Sequence, residues 1–269
     1  MRRNGGGRAP DYDGRYAGSV AVVSGASSGL GRHLALGLAR AGAVVVAVGR
    51  RKDVLLDLVH ELEVLTPGAR AAPCDVRDTE ALTALLADVE AAHGHLDILV
   101  NNAGTDPGIR LSEIDVDDFR RTLEVNFVAA VAGTLAVLPG MRSRGRGIVA
   151  NVSSDGGRLP SPGPGAYPAS KAALSAFTES VSFRVERQGV RLHVVYPAWM
   201  PTTMGLGALQ RGLRHPPRFT RRTEDEVARL VLARLGGPRL EISASRLIDA
   251  ATVFRAVAPS LYHRLRRTW

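Results

Sequence analysis

The 269-residue chain carries 35 basic against 26 acidic residues, a net charge of +9, and is 45% hydrophobic. That length and apolar share can bury one sizeable core and suit a single large α/β domain better than two small ones. A single cysteine, Cys74, excludes an internal disulfide and fits a reducing cytoplasm; the scattered histidines suggest no metal site, and the dispersed arginines, with no zinc-finger, RRM-type or basic-zipper pattern, argue against nucleic acid.

The opening MRRNGGGRAPDYDG is glycine-rich and charged and reads as part of a flexible tail over residues 1–17. No secretory signal is visible, and no apolar run reaches the length needed to cross a bilayer. Short β-branched or alanine-rich runs then recur at 20–24, 44–48, 69–74, 98–101, 148–152 and 192–196. Their continuous apolar character fits strands covered on both faces. Helix-length segments lie between them, for example 81–92 and 119–141, with apolar residues three and four apart. Strand alternating with helix predicts right-handed crossovers and a doubly wound, Rossmann-like parallel sheet in one domain over 18–269.

Between the first strand and the first helix stands SGASSGLG at 24–31. Glycines let the backbone turn tightly against a pyrophosphate, and the helix N-terminus supplies free N–H groups. The spacing is Gly-x-x-x-Gly-x-Gly with no following Gly-Lys-Ser/Thr, which argues against a triphosphate P-loop. The second strand ends in Arg50-Arg51, where an NAD site would place an acid for the ribose hydroxyls. Arginine there pairs with a 2′-phosphate, so NADP(H) is the expected cofactor, with Arg50 the first choice as reader.

Further along, YPASK sets Tyr167 and Lys171 four residues apart, on one face of a helix. Of the 35 basic residues only Lys52 and Lys171 are lysine. A cation beside the phenol is expected to lower the tyrosine pKa toward neutrality, giving an acid–base group for a ketone or alcohol oxygen. After Pro197 the pattern becomes irregular over about 200–222, a candidate lid beyond the sheet's carboxyl edge, with Trp199, Met200, Met204, Leu206, Leu209, Leu213 and Phe219 pointing to an apolar substrate. Leu240-Glu-Ile-Ser reads as the last strand. An arginine-rich helix follows over about 246–267, whose stripe of Leu247, Ile248, Ala251, Phe254, Val257 and Leu261 is expected to pack on the core rather than touch a membrane.

Six motifs in order, SGASSGLG, Asp75-Val76, NNAG at 101–104, Asn126, the serine of NVSS at 151–154 and Tyr167-x-x-x-Lys171, resemble the short-chain dehydrogenase/reductase family in its shorter single-domain branch, from about Ser19 to Thr202. The resemblance implies that Gly25, Ser27, Ser28, Gly29, Leu30 and Gly31 form the pyrophosphate turn. It also implies that Asp75 and Val76 border the adenine, and that Asn102, Ala103 and Gly104 continue the cofactor wall. Pro197 and Thr202 would meet the nicotinamide, and Arg50 and Arg51 the 2′-phosphate. Ser154 would polarise the substrate oxygen, Tyr167 exchange its proton, Lys171 bind the nicotinamide ribose, and Asn126 hold a water in a proton relay. The implied function is NADPH-dependent reduction of a largely apolar ketone; the alternatives are an NADP-linked secondary-alcohol dehydrogenase and a catalytically silent NADPH-binding module. A cytoplasmic homo-oligomer, dimer or tetramer, is expected, with a small-molecule ketone or alcohol as its partner. Three departures stand out: Ser24 replaces the usual Thr at the first motif position but keeps the hydroxyl, Ala198 replaces the usual Gly after Pro197, and the family's usual Val-Asp-Gly ending is absent.

Overall fold

The computed structural model describes residues 12–108, 111–160, 163–210 and 216–266. Seven parallel strands form one sheet: β1 (Val20–Ser24), β2 (Val44–Gly49), β3 (Arg70–Pro73), β4 (Ile98–Asn101), β5 (Gly147–Val152), β6 (Val190–Tyr196) and β7 (Glu241–Ser243), in the order β3-β2-β1-β4-β5-β6-β7. The helices between them are α1 (Gly29–Arg40), α2 (Lys52–Leu65), α3 (Thr79–His93), α4 (Val116–Leu123), α5 (Ala129–Ser143), the short α6 (Asp155–Arg158), α7 (Ala166–Val185), α8 (Thr203–Gln210), α9 (Glu224–Arg234), α10 (Arg246–Val257) and α11 (Pro259–Arg266).

Strand alternation divides the core in two. Ala21 and Val23 of β1 face one buried cluster with Leu34 and Leu38 of α1, Leu55 and Leu58 of α2, and Val231 and Leu232 of α9. Val20 and Val22 face the other, with Leu82 and Leu86 of α3, Val137 and Met141 of α5, and Val185 of α7. With helices on both faces, β1 and β2 are apolar at nearly every position, which explains their runs of valine and alanine. The chain order reverses between β1 and β4, and their carboxyl ends, Ser24 and Asn101, open the crevice where ligands bind in such sheets.

Four expectations are corrected. The tail expected over 1–17 is packed from Tyr12 on: Tyr12 and Tyr16 are buried, and the Tyr16 hydroxyl donates to the Leu232 carbonyl at 2.6 Å. Two aromatic rings supply the apolar area that the glycines before them lack. Second, α4 and α5 run together through a π-helical turn, Glu124–Val128, into one helix, Val116–Ser143, which by length and composition is apolar enough to cross a membrane, with a mean hydropathy of 1.6 in its most apolar window. The helix expected over 119–141 lies within this run, and what is corrected is its apolar length; in the fold the α5 half lies against β4, β5 and α3. Third, the segment expected to be irregular over about 200–222 contains a regular helix, α8, while residues 211–215, including Leu213, lie outside the described residues. Fourth, the C-terminal helix breaks before Pro259, which cannot continue the hydrogen-bond ladder, and its stripe does not pack on the core: Leu247, Phe254, Val257 and Leu261 are exposed.

Candidate active site

The glycine turn is shaped by contacts that exclude side chains. Gly25 and Gly29 have φ of +66° and +54°, in the left-handed region. A Cβ on Gly31 would lie 2.4 Å from both the Gly25 carbonyl oxygen and Asn102 Nδ2. The turn is held from the next strand: Ser24 Oγ accepts from the N–H groups of Asn102 (3.0 Å) and Ala103 (3.1 Å), and Asn102 Nδ2 donates to the Ser24 carbonyl at 3.0 Å. Ser28 caps α1 with no side-chain bond to the helix, and Leu30 is buried beneath it.

Of the two arginines ending β2, Arg51 reaches the turn. Its Nη2 donates to Ser27 Oγ at 3.0 Å. Arg50 is exposed and acts on Asp75, helping to hold that carboxyl below its ordinary range. The larger influence on Asp75 is Arg77, which grips it through Nε (3.1 Å) and Nη2 (2.7 Å). Sequence reasoning did not name Arg77; its signal was an arginine two residues after an aspartate that turns back on its own backbone. Val76 is buried beside them, and Gly104 continues the wall from Asn102 and Ala103.

Two serines follow β5, both near α7. Ser153 is buried and donates to the Lys171 carbonyl at 2.8 Å. Ser154 caps α6, its Oγ accepting from Gly156 N at 3.1 Å, and a Cβ on Gly156 would lie 3.5 Å from Ser154 Oγ and 3.9 Å from Tyr167 Cε1, which places the two side by side. Tyr167 and Lys171 lie one turn apart on α7, with Lys171 Nζ 5.9 Å from the tyrosine ring centroid. Lys171 is buried, and Nζ donates to the Val152 carbonyl at 2.7 Å. Burial lowers its pKa from 10.5 to about 8.

The Tyr167 pKa moves opposite to the sequence expectation. Burial pushes it above the ordinary phenol value, the carboxylates of Asp106 and Asp155 add to the rise, and only the bond from Ser154 opposes it. The ammonium expected to lower it is itself desolvated and turned to a backbone carbonyl. Asp155, packed against Arg158 and Asp249, is raised to about 6, chiefly by burial.

Asn126 sits in the π turn and is fully buried. Its Oδ1 accepts from Thr105 N at 2.7 Å, and its Nδ2 donates to the Thr105 carbonyl (2.8 Å) and to Ser170 Oγ (2.9 Å). Both amide hydrogens are committed to protein, so the side chain braces the loop after β4 instead of donating to a relay water. A Cβ on Gly104 would meet Asn126 Oδ1 and Lys171 Nζ, each at 3.4 Å, which places both around that glycine. Thr202 caps α8, its Oγ1 accepting from Gly205 N at 3.1 Å, while its methyl would be 3.3 Å from a Cβ on Gly29. Pro197 is half-buried, and Ala198 packs in the core; no non-glycine residue described has positive φ, so this alanine needs no unusual backbone. Among the described residues no cluster of metal-ligating side chains occurs.

The family model described as short chain dehydrogenase matches residues 19–210. Among curated proteins, the Bos taurus dehydrogenase/reductase SDR family member 7B is 32% identical over 259 residues, spanning 92% of this chain and 80% of its own length. An uncharacterized oxidoreductase of Mycobacterium tuberculosis is 35% identical over 192 residues, spanning 70% of this chain and 56% of its own. Among solved structures, a short-chain dehydrogenase from Streptomyces avermitilis aligns with a TM-score of 0.78 at 27% identity over 93% of this chain and 98% of that one. A variant of the actinorhodin polyketide ketoreductase with NADPH aligns at 0.76 with 28% identity, over 84% and 95%. An NAD+-bound xylitol dehydrogenase, 24% identical with a TM-score of 0.76 over 86% and 98%, shares the fold.

Proposed function

The chain belongs to the short-chain dehydrogenase/reductase family, and from that premise we propose that it is an NADPH-dependent reductase of a largely apolar ketone. The observation that carries the reading is Tyr167 beside Ser154 and one helical turn from the buried Lys171, at the same carboxyl edge of the sheet as the glycine turn.

The residues of the turn fit a dinucleotide. Gly25, Gly29 and Gly31 leave a cradle that side chains would fill, at the uncapped N-terminus of α1. Arg51 on Ser27, with Arg50 beside it, favours a 2′-phosphate over a bare ribose hydroxyl. Bound NADPH would supply the hydride. Gly156 N occupies one lone pair of Ser154 Oγ, which leaves the hydroxyl hydrogen to donate to the substrate oxygen. Tyr167 gives its proton to that oxygen as negative charge develops, a positioned acid worth about 10²–10⁴-fold in rate. Lys171, with a pKa of about 8, is cationic at neutral pH and stabilises the phenolate left behind. The apolar Met204, Leu206 and Phe219, exposed along the lid, support an apolar substrate. The NADPH-bound ketoreductase named above supports the direction and the cofactor.

Titration with NADPH and with NADH, followed by nicotinamide fluorescence, tests the cofactor assignment. NADPH should bind about 10–100-fold tighter, and Arg51→Ala should erase most of that margin, about 1.4 kcal/mol for each factor of ten. Tighter NADH binding, or none by the folded chain, overturns the reading. On a panel of apolar ketones, Tyr167→Phe should keep NADPH affinity and lose turnover.

A further inference from the structure

The last two helices carry most of their large aliphatic residues on the exposed face, while Ile248 is partly buried and Tyr262 is buried, its ring edge-on to Phe254. In α10 the partly buried side is Ile248, Thr252 and Arg255. Leu247, Val253, Phe254 and Val257 are all exposed, Val257 by 79%. At 3.6 residues per turn these four fall within about one third of the helix circumference, one continuous stripe facing solvent. α11 extends it with Leu261 and Leu265, one turn apart and each 50% exposed.

The opposite face holds α10 to the body. Asp249 pairs with Arg158 at 3.0 Å, and Arg255 donates to the Arg158 carbonyl. This anchoring consumes the segment's single acid. From position 246 to 269 the sequence carries five arginines and only Asp249 against them, so the charge left beside the stripe is positive, with Arg246 and Arg264 exposed. A second copy of the same face would bring like charges together; an anionic surface would not.

We propose that α10 and α11 dock the protein on an anionic lipid surface, the apolar stripe seated at the headgroup boundary and the arginines on lipid phosphates. An exposed apolar stripe flanked by arginine is the arrangement of helices that lie in the plane of a membrane, and their cations add an attraction that salt screens. The anchor residue Arg158 lies four positions after Ser154, so α10 is held to the body close in sequence to the candidate active site. Docking does not depend on the reductase reading and is measured without substrate or cofactor.

The test is flotation of the full chain with vesicles of phosphatidylcholine alone and of phosphatidylcholine mixed with phosphatidylglycerol. Binding to the mixed vesicles should be at least about tenfold tighter and should weaken in high salt. Val253→Glu with Val257→Glu should abolish it, and Arg246→Glu with Arg264→Glu should weaken it strongly. All four side chains are exposed, so circular dichroism and thermal midpoint should stay parental. Equal or absent binding to the two vesicles overturns the proposal, as does binding that survives both double variants. A dimer seen by light scattering that Val253→Glu with Val257→Glu dissociates, without vesicle binding by the parent, overturns it in favour of self-association.

Discussion

In Lys171→Met an apolar chain of similar length replaces an ammonium that is 3% exposed and bonded to the Val152 carbonyl at 2.7 Å. The folded pKa is about 8 against an ordinary 10.5, so between those values the unfolded chain binds the proton and the folded chain does not. Stability therefore rises with pH across that window, and below it the fold bears the full cost of the buried charge, about 3 kcal/mol. Loss of the bond to Val152 returns about 1–3 kcal/mol, so at neutral pH the variant should be of similar or somewhat higher stability than the parent. The pH-dependent part is independent of that offset: from about pH 7 to pH 9.5 the parent should gain about 2 kcal/mol relative to Lys171→Met. Urea unfolding followed by far-ultraviolet circular dichroism at several pH values reads this directly. A difference between the two proteins that stays constant with pH would refute the argument that desolvation governs Lys171. Turnover, which needs the charge beside Tyr167, should vanish in the variant at every pH.

Gly31→Ala places a methyl 2.4 Å from the Gly25 carbonyl oxygen and Asn102 Nδ2, so the turn must open and NADPH affinity should fall at least about 100-fold; parental affinity by fluorescence titration would contradict the cradle. His193 is fully buried with its pKa lowered by burial to about 4, accepting from Gly236 N at 2.9 Å through Nε2. It is neutral when folded and protonated when unfolded between about pH 4 and 6.5, so stability is lost on acidification, about 2 kcal/mol from pH 7 to pH 5. His193→Gln should remove that loss in urea titrations at the two pH values; Asp155, which gains stability on acidification, is present in both proteins and cancels. Asn126→Ala leaves the backbone N–H and carbonyl of Thr105 without the side chain that holds them. The loop after β4 should loosen, with Thr105 amide exchange faster by about tenfold or more and a stability loss of about 1–3 kcal/mol; unchanged exchange would count against the brace.

Much of the architecture and the set of candidate site residues were legible in the primary structure because they rest on local rules. Uninterrupted valine runs such as 44–48 require a sheet covered on both faces, and helix-length segments between them require parallel crossovers. Glycine at 25 and 29 marks positions where only a left-handed backbone closes the turn. The interval from Tyr167 to Lys171 places both on one side of any helix that contains them. Other features depend on residues far apart in the chain. That the Asn126 side chain braces Thr105, 21 positions away, has no sequence signal. Which arginine meets Ser27 follows from how β2 runs into α2, and it is Arg51.

Composition and spacing determined that this chain is a doubly wound α/β protein with a glycine turn and a Tyr–Lys pair, because backbone sterics and helical period act over a few residues. Tertiary structure alone decided the sign of the Tyr167 shift and the side on which the stripe of α10 lies. Desolvation is a property of everything packed around a group, and helical period dictates that a stripe exists without dictating what faces it.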